Sequence, residues 1–506
     1  MTGDVFLAGQ RYAASSLRLD AARAASGLVD LGATDNRVAL FLRNDVTFLV
    51  ASEAARLAGA TALPVNWHLK ADDVAYILED SKTDIIIAHA DLWRGVAEQL
   101  PGALRDQLTV FLVPTPDAIC AAYQVDPAMA DVPSGIRDWN AFVLDNFPIA
   151  EPRTTNRYPL LYTSGTTGRP KGVQRLDARR PEPVAYDAFF EPGMRTHLAT
   201  PFYHSAPNRF LQGTFEMGGT LVLPVRFNAE QMLKEIEKYR ITTSFMVPAM
   251  LQRFARLPDN IRAAYDLSSL RHVVIAGAPC PAELKASIID WWGPVIYEYY
   301  GSTETSALTF ASSAEALARP GTVGRAVATA HVDVLEESGA PCATGVSGEI
   351  YGRRQDIPDF TYLNKPEARA KAGAGDLVSV GDIGYLDEDG FLFLSDRKTD
   401  LIISNGVNIY PAQVEAALLV HDCVADCAVF GIPDSSAGEA VAAIVQSADG
   451  QQLDPHELAG FLETKLASFM VPKFIEQRQD FPRDAAGKIK KRDLRAPFWE
   501  GAKRAI

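Results

Sequence analysis

The sequence predicts an α/β protein with a large N-terminal body of several subdomains and a small α+β unit at the C-terminus. Three observations predict it. The first 150 residues alternate strand-like and helix-like segments, the rhythm of mainly parallel sheets covered by helices. From about Pro320 the texture changes to short strands and turns, which indicates a small β-rich subdomain. A charged stretch at Asp396–Asp400 then precedes a new α+β unit. At 506 residues the chain exceeds one ordinary core. The expected division is residues 1–396 and 397–506, a C-terminal unit of about 110 residues, ordinary for a small domain.

The elements follow in order. Arg37–Leu42 is a strand candidate, and Asp45 can cap the helix that runs through Ala58, whose apolar residues recur at helical spacing. Thr61–Val65 and Asp84–Ala88 read as strands around a helix near 71–80. Pro159–Tyr162 is a short buried strand. The pattern resumes with strands at Gly219–Leu223, Thr243–Val247 and Arg271–Ala276 and a helix over Ala229–Tyr239. In the β-rich part, Val332–Leu335, Gly348–Tyr351 and Gly390–Leu394 are strands. The C-terminal unit has helices at Pro411–Val420 and Pro455–Leu466 and a strand at Cys427–Phe430.

Composition narrows the function. The chain is 47% hydrophobic and 22% charged, with net charge −14, which argues against general nucleic-acid binding. Lys488-Ile489-Lys490-Lys491-Arg492 is the one basic cluster. Five cysteines, with no CxxC pair and no accompanying histidine cluster, argue against a zinc site or a disulfide framework and fit a reducing compartment. Cys423 and Cys427 could share a helix face. The opening Met1-Thr2-Gly3-Asp4 does not read as a signal peptide, and no apolar run reaches the length of a membrane span, so the expectation is a cytoplasmic protein.

The segment Tyr162-Thr163-Ser164-Gly165-Thr166-Thr167-Gly168-Arg169-Pro170-Lys171-Gly172 carries the chemistry. Its glycines let main-chain N–H groups approach a ligand, its hydroxyls add donors, and Arg169 and Lys171 add charge, a composition suited to the phosphates of a nucleotide. It is not a GxxxxGK[ST] loop: Gly165 and Gly168 are too close, and Pro170 keeps Lys171 out of an ordinary first helical turn. A second site is Tyr297–Thr305, where a strand ends in aromatics before Gly301-Ser302-Thr303-Glu304. Tyr300 offers a flat face for a base, Thr303 a hydroxyl, and Glu304 a carboxylate for magnesium. Gly277-Ala278-Pro279 follows a strand as a turn. Pro201-Phe202-Tyr203-His204 places a histidine at an expected pocket wall. Asp382 follows Gly381 and Arg397 follows Ser395-Asp396, and by composition these are turns with charges.

These segments, in this order, resemble the adenylate-forming enzymes, which include the acyl-CoA synthetases, luciferase and the adenylation domains of peptide synthetases. The resemblance runs from about residue 20 to 495. It implies a two-step ATP-dependent acid–CoA ligase that uses ATP, Mg2+ and coenzyme A. It places Thr163, Ser164, Gly165, Thr166, Thr167, Gly168 and Lys171 on phosphate and Gly277, Ala278 and Pro279 along the nucleotide and acyl pocket. Tyr300 and Gly301 fall at adenine, Thr303 at the phosphate and carboxylate end, Glu304 on magnesium, and His204 beside the acid. Asp382 and Arg397 are implied at the ribose. Ser404–Pro411 resembles the loop of the pantetheine tunnel, where Gly406 admits a thin chain. Phe481–Lys490 resembles the segment whose lysine, here Lys488, bridges carboxylate and α-phosphate.

The same resemblance makes the C-terminal unit a mobile lid. Thr399 stands at the family's usual hinge position, with Lys398 and Asp400 as alternatives. Val173–Arg195 departs from the family's usual threonine–histidine helix start. Tyr203–Asn208, Met246–Leu251 and Ser306–Phe310 are the expected pocket lining, and they suit an apolar fatty, aromatic or steroid-like acid. The alternatives are an enzyme that loads a carrier-protein thiol, or a non-catalytic acyl- or AMP-binding regulator. The expected partners are small molecules, with no nucleic acid.

Overall fold

The computed structural model describes residues 3–153, 158–163, 169–176, 189–397, 400–404, 407–434, 436–448, 450–483 and 489–500, with only the backbone of Asp396, Arg397 and Asn408. Ser164, Gly165, Thr166, Thr167, Gly168, Lys398, Thr399, Gly406 and Lys488 lie outside the described residues.

The body contains a fully parallel sheet ordered Thr61–Pro64, Arg37–Phe41, Ile85–His89, Thr109–Val113 and Arg137–Asp138. A larger sheet, fifteen-stranded among the described residues, has Gln10–Ala13 as an antiparallel edge on Asp4–Leu7 and continues as a parallel run of Asp4–Leu7, Thr220–Leu223, Arg195–His197, Thr243–Met246, His272–Ile275 and Ile296–Ser302. It then turns antiparallel through Ser306–Ser312, Thr322–Ala326, Phe391–Arg397, Asp382–Leu386 and Gly348–Arg354. The β-rich part expected after Pro320 is therefore a continuation of the main sheet. Ala330–Leu335 adds to it by pairing with Gly348–Arg354.

Helices Ala14–Asp30 and Val46–Leu57 are packed in one core with strands of both sheets. That position explains the composition of the second helix. Nearly all of it is buried, and alanines at 51, 54 and 55 leave room for both neighbours. Asp45 caps it by accepting from Val46 N at 2.6 Å, and its other carboxylate oxygen meets His89 Nε2 at 3.1 Å. His89 Nδ1 accepts from Arg43 N, so the buried ring donates to Asp45 through Nε2. On the other face of the main sheet lie Ala229–Tyr239, Pro248–Ala255 and Ala282–Trp292. The helix at 229–239 has the bounds its apolar spacing predicts, with Asn228 as N-cap.

The C-terminal unit is built on Val407–Ile409, Ile402–Ser404, Gly438–Ser447 and Val424–Asp434, with Phe474–Gln477 parallel to Gly438–Ser447. Helices Pro411–Leu419 and Pro455–Glu463 cover one face of this sheet and Lys491–Trp499 the other. Cys427 lies in the strand Val424–Asp434 and Cys423 in the turn before it, so the pair does not share a helix face. The unit touches the body where Arg256 Nη2 donates to the carbonyls of Val424 and Ala425. Among the described residues, no helix is long and apolar enough to cross a membrane.

Candidate active site

A three-stranded antiparallel sheet, ordered Phe360–Tyr362, Lys171–Arg175 and Leu161–Thr163, carries the flanks of the glycine-rich segment. Leu161–Thr163 is one of its two edge strands. Lys171 opens a strand, as Pro170 requires, and pairs with Thr163. Gly172 packs closely there, since a Cβ would stand 3.0 Å from the Tyr162 ring. Tyr162 is fixed in turn by donating to Asp80 Oδ2 at 2.7 Å.

The segment Tyr297–Thr305 forms the strand Ile296–Ser302 and a tight turn into the antiparallel strand Ser306–Ser312. A register shift at Tyr300/Gly301 presses Gly301 against the backbone of Ser306 and Ala307. Ser302 and Thr305 close the turn reciprocally: each side-chain oxygen accepts from the other residue's backbone N–H at 3.1 Å.

Glu304 is the meeting point. The residue is 7% exposed, and its Oε1 accepts from Thr163 Oγ1 at 3.2 Å and from Tyr362 OH at 3.1 Å. Lys171 Nζ lies 5.2 Å from the centre of the Tyr362 ring. Burial, and then the Glu304 charge, push the Tyr362 phenol well above its ordinary value, so it stays a proton donor. Arg175 donates to the carbonyls of Thr303 at 2.7 Å, Glu304 at 2.8 Å and Pro358 at 3.1 Å. Arg169 lies instead over Tyr76, at 5.0 Å.

The donor set suits magnesium. Among the described residues, the hydrogen bonds on the Glu304 carboxylate fall on Oε1 and come from neutral hydroxyls, an arrangement that keeps its negative charge for a cation. Among the described residues, no group of three or more histidine, cysteine or acidic side chains is gathered to hold a metal. Phosphate oxygens and water would have to complete the shell, the usual arrangement for Mg2+.

Tyr300 is buried with Leu308, Val323, Ile350 and Leu392, and its hydroxyl donates to Asp382 Oδ2 at 2.9 Å. Asp382 begins a strand after Gly381, which has φ +84°, and pairs by backbone with Arg397. The structure thus joins the expected base and ribose residues directly. Gly277, also at positive φ (+89°), follows His272–Ile275, which pairs with Ile296–Ser302. Gly277-Ala278-Pro279 and Gly301–Glu304 therefore stand at the carboxyl ends of neighbouring parallel strands, where open α/β sheets bind ligands.

His204 follows the strand Arg195–His197 at the same end of the sheet. It precedes the helix Ser205–Glu216, and its ring packs on Tyr203 at 4.6 Å. Asn44 and Asn208 fix the backbone here through Phe202 N and Phe202 O. Of the expected acyl-pocket segments, Phe310 packs on Tyr299, which packs on Phe245.

Arg483 and Ile489, which flank the residues carrying Lys488, form an antiparallel bridge, and Arg483 pairs with Asp426. Sequence reasoning did not single out Tyr362 or Arg175. Arg175 lies within the stretch that departs from the family pattern, and that departure was the available signal. Tyr362 gave none, because its partner Glu304 is 58 residues away.

Residues 4–357 match the AMP-binding enzymes, and residues 413–488 match the AMP-binding enzyme C-terminal domain. A feruloyl-CoA synthase from Amycolatopsis sp is 32% identical over 493 residues, covering 96% of this chain and 94% of that protein. The fatty acid–[acyl-carrier-protein] ligase ScoC from Streptomyces coeruleorubidus is 31% identical over 463 residues, covering 89% of this chain and 84% of that protein. The solved amide bond synthetase McbA from Marinactinospora thermotolerans superposes with a TM-score of 0.82 at 26% identity, covering 98% of this chain and 97% of that chain. With its motifs, its fold and these matches in agreement, the chain belongs to the AMP-binding, adenylate-forming enzymes.

Proposed function

We propose that this protein is an ATP-dependent carboxylic acid–CoA ligase. The observation that carries the reading is the convergence on Glu304 of Thr163, from the phosphate-segment flank, and Tyr362, with Tyr300 joined to Asp382 by a side-chain hydrogen bond. In the first step a carboxylate oxygen of the acid attacks the α-phosphorus of ATP. The bond to the β-phosphate bridging oxygen breaks, and pyrophosphate leaves. In the second step the sulfur of CoA attacks the acyl carbon, AMP leaves, and the thiol proton goes to solvent.

The difficulty of the first step is the meeting of two anions. Magnesium on Glu304 would offset the phosphate charge. Lys171, Lys488 and the main-chain donors of 164–168 would add to that field, the kind of fixed stabilisation that commonly contributes about 10²–10³ in rate. Thr303 would donate at the phosphate end. Asp382 and Arg397 would hold the ribose, and Tyr300 would position the base. His204 would stand beside the acid; no base is required, because a carboxylate is already a nucleophile at neutral pH. The domain of residues 397–506 would rotate about the stretch 398–400 to exchange Lys488 for the Gly406 loop.

The largely apolar expected lining, 203–208, 246–251 and 306–310, favours an apolar fatty, aromatic or steroid-like acid, in keeping with the relatives named for feruloyl-CoA and for fatty acids. The relative that acts on an acyl-carrier protein favours a second reading, in which the thiol belongs to a carrier protein.

The test combines an acid panel with Lys488→Ala. The wild type should release pyrophosphate and form a thioester from one class of acid, with CoA as acceptor. Lys488→Ala should lose about 10²–10³ in adenylation, yet still convert supplied acyl-adenylate to thioester. Equal loss in both steps would refute the role of Lys488. Pyrophosphate release without CoA thioester would favour the carrier protein.

A further inference from the structure

We propose that Arg175 is a positioning residue for the adenylation step, a brace that sets the Thr303–Glu304 turn for phosphate and cation. The inference rests on the functional reading above.

The geometry points to it. A guanidinium has five N–H donors in a rigid planar fork and no acceptor. Here that fork reaches three main-chain carbonyls: Nη2 on Thr303, Nη1 on Glu304 and Pro358. One side chain thereby ties three segments. The first is its own strand, Lys171–Arg175, which carries the phosphate-segment flank. The second is the turn that bears Thr303 and Glu304. The third is the stretch from Pro358 into Phe360–Tyr362, whose Phe360 pairs directly with Arg175.

The choice of acceptors matters chemically. Arg175 lies beside Glu304 yet donates to its carbonyl, while among the described residues the Glu304 carboxylate receives the neutral Thr163 and Tyr362 hydroxyls. An arginine paired to the carboxylate itself would neutralise the charge a cation needs. Arg175 fixes the turn and leaves that charge available. Removing it would release three carbonyls and loosen both the turn and the strand that delivers Tyr362.

The test compares wild type, Arg175→Met and Arg175→Lys in three measurements. These are acid-dependent exchange of labelled pyrophosphate into ATP across a Mg2+ titration, thioester formation from supplied acyl-adenylate, and thermal unfolding. Because a displacement near 1 Å can cost about 10² in rate, Arg175→Met is expected to exchange about 10–100-fold more slowly. Its half-saturating Mg2+ should rise about 3–10-fold, with thioester formation within about threefold of wild type. Arg175→Lys, whose ammonium cannot span the three carbonyls, should recover part of the exchange. If Arg175→Met does not fold, Arg175→Lys alone should still show slower exchange, a raised Mg2+ requirement and intact thioester formation.

Equal loss in both half reactions, an unchanged Mg2+ requirement, or exchange at the wild-type rate in the variants would overturn the brace. Wild type that exchanges with no acid would overturn the functional reading, and the brace with it.

Discussion

Gly301→Ala isolates the geometry of the turn from its charges. Gly301 follows the register shift in the strand Ile296–Ser302, and a Cβ there would stand 2.0 Å from Ser306 O, 2.7 Å from Ser306 C and 2.9 Å from Ala307 Cα. All three atoms are backbone, so no side chain can swing away. Ordinary contact begins at 3.4 Å, so the two strands must part by roughly 1.4 Å at this point. That displacement falls between Tyr300, which holds Asp382, and Glu304. Overpacking of this kind costs about 1–3 kcal/mol of stability, and a shift of this size in a catalytic turn costs about 10² in rate. The assay is acid-dependent pyrophosphate exchange with thermal unfolding on the same samples. The expected result is a folded enzyme with exchange down about 10²-fold. Exchange within about threefold of wild type would refute the argument that this close approach sets the site.

Three further outcomes follow from the same structure. Tyr362→Phe removes a donor to Glu304 and should raise the half-saturating Mg2+ about 3–10-fold in exchange assays, since a hydrogen bond to a charged group contributes roughly 1.5–3 kcal/mol. Lys285→Met leaves Glu298 buried without its ion-pair partner, a loss of about 3–5 kcal/mol in chemical denaturation. Burial raises the Glu298 carboxyl above its ordinary value, and a raised acid favours the fold more as pH falls, so this loss should be smaller at about pH 5 than at about pH 8. On alkylation followed by peptide mapping, exposed Cys423 should react first. Cys280 and Cys427, whose thiols burial pushes up, should react only after unfolding.

What was legible in the sequence was local. Helical spacing located Ala229–Tyr239, and Asp45 announced the helix after it, because period and cap are properties of adjacent residues. The order of the short motifs drew attention to Glu304, Tyr300 and Asp382, which the structure places near one another or in contact. What escaped was the pairing between distant short strands. Phe360–Tyr362 has three residues and meets Lys171–Arg175 across nearly 190 positions, so it leaves no periodic trace. The contacts it creates, Tyr362 and Arg175 on the Thr303–Glu304 turn, were hidden with it. The Tyr300–Asp382 hydrogen bond was hidden for the same reason, although each partner was found alone. The chain's departure at Val173–Arg195 was visible, but its meaning at Arg175 required the three carbonyls to be in place.

The central claim is that the protein activates an acid by joining it to AMP before any thiol takes part. The direct measurement is exchange of labelled pyrophosphate into ATP, with Mg2+ and a panel of fatty and aromatic acids, in the absence of CoA. The account predicts exchange that depends on one class of acid and on Mg2+, with AMP as the nucleotide product when CoA is added. Acid-independent release of ADP and phosphate, or no exchange with any acid in the panel, would contradict it.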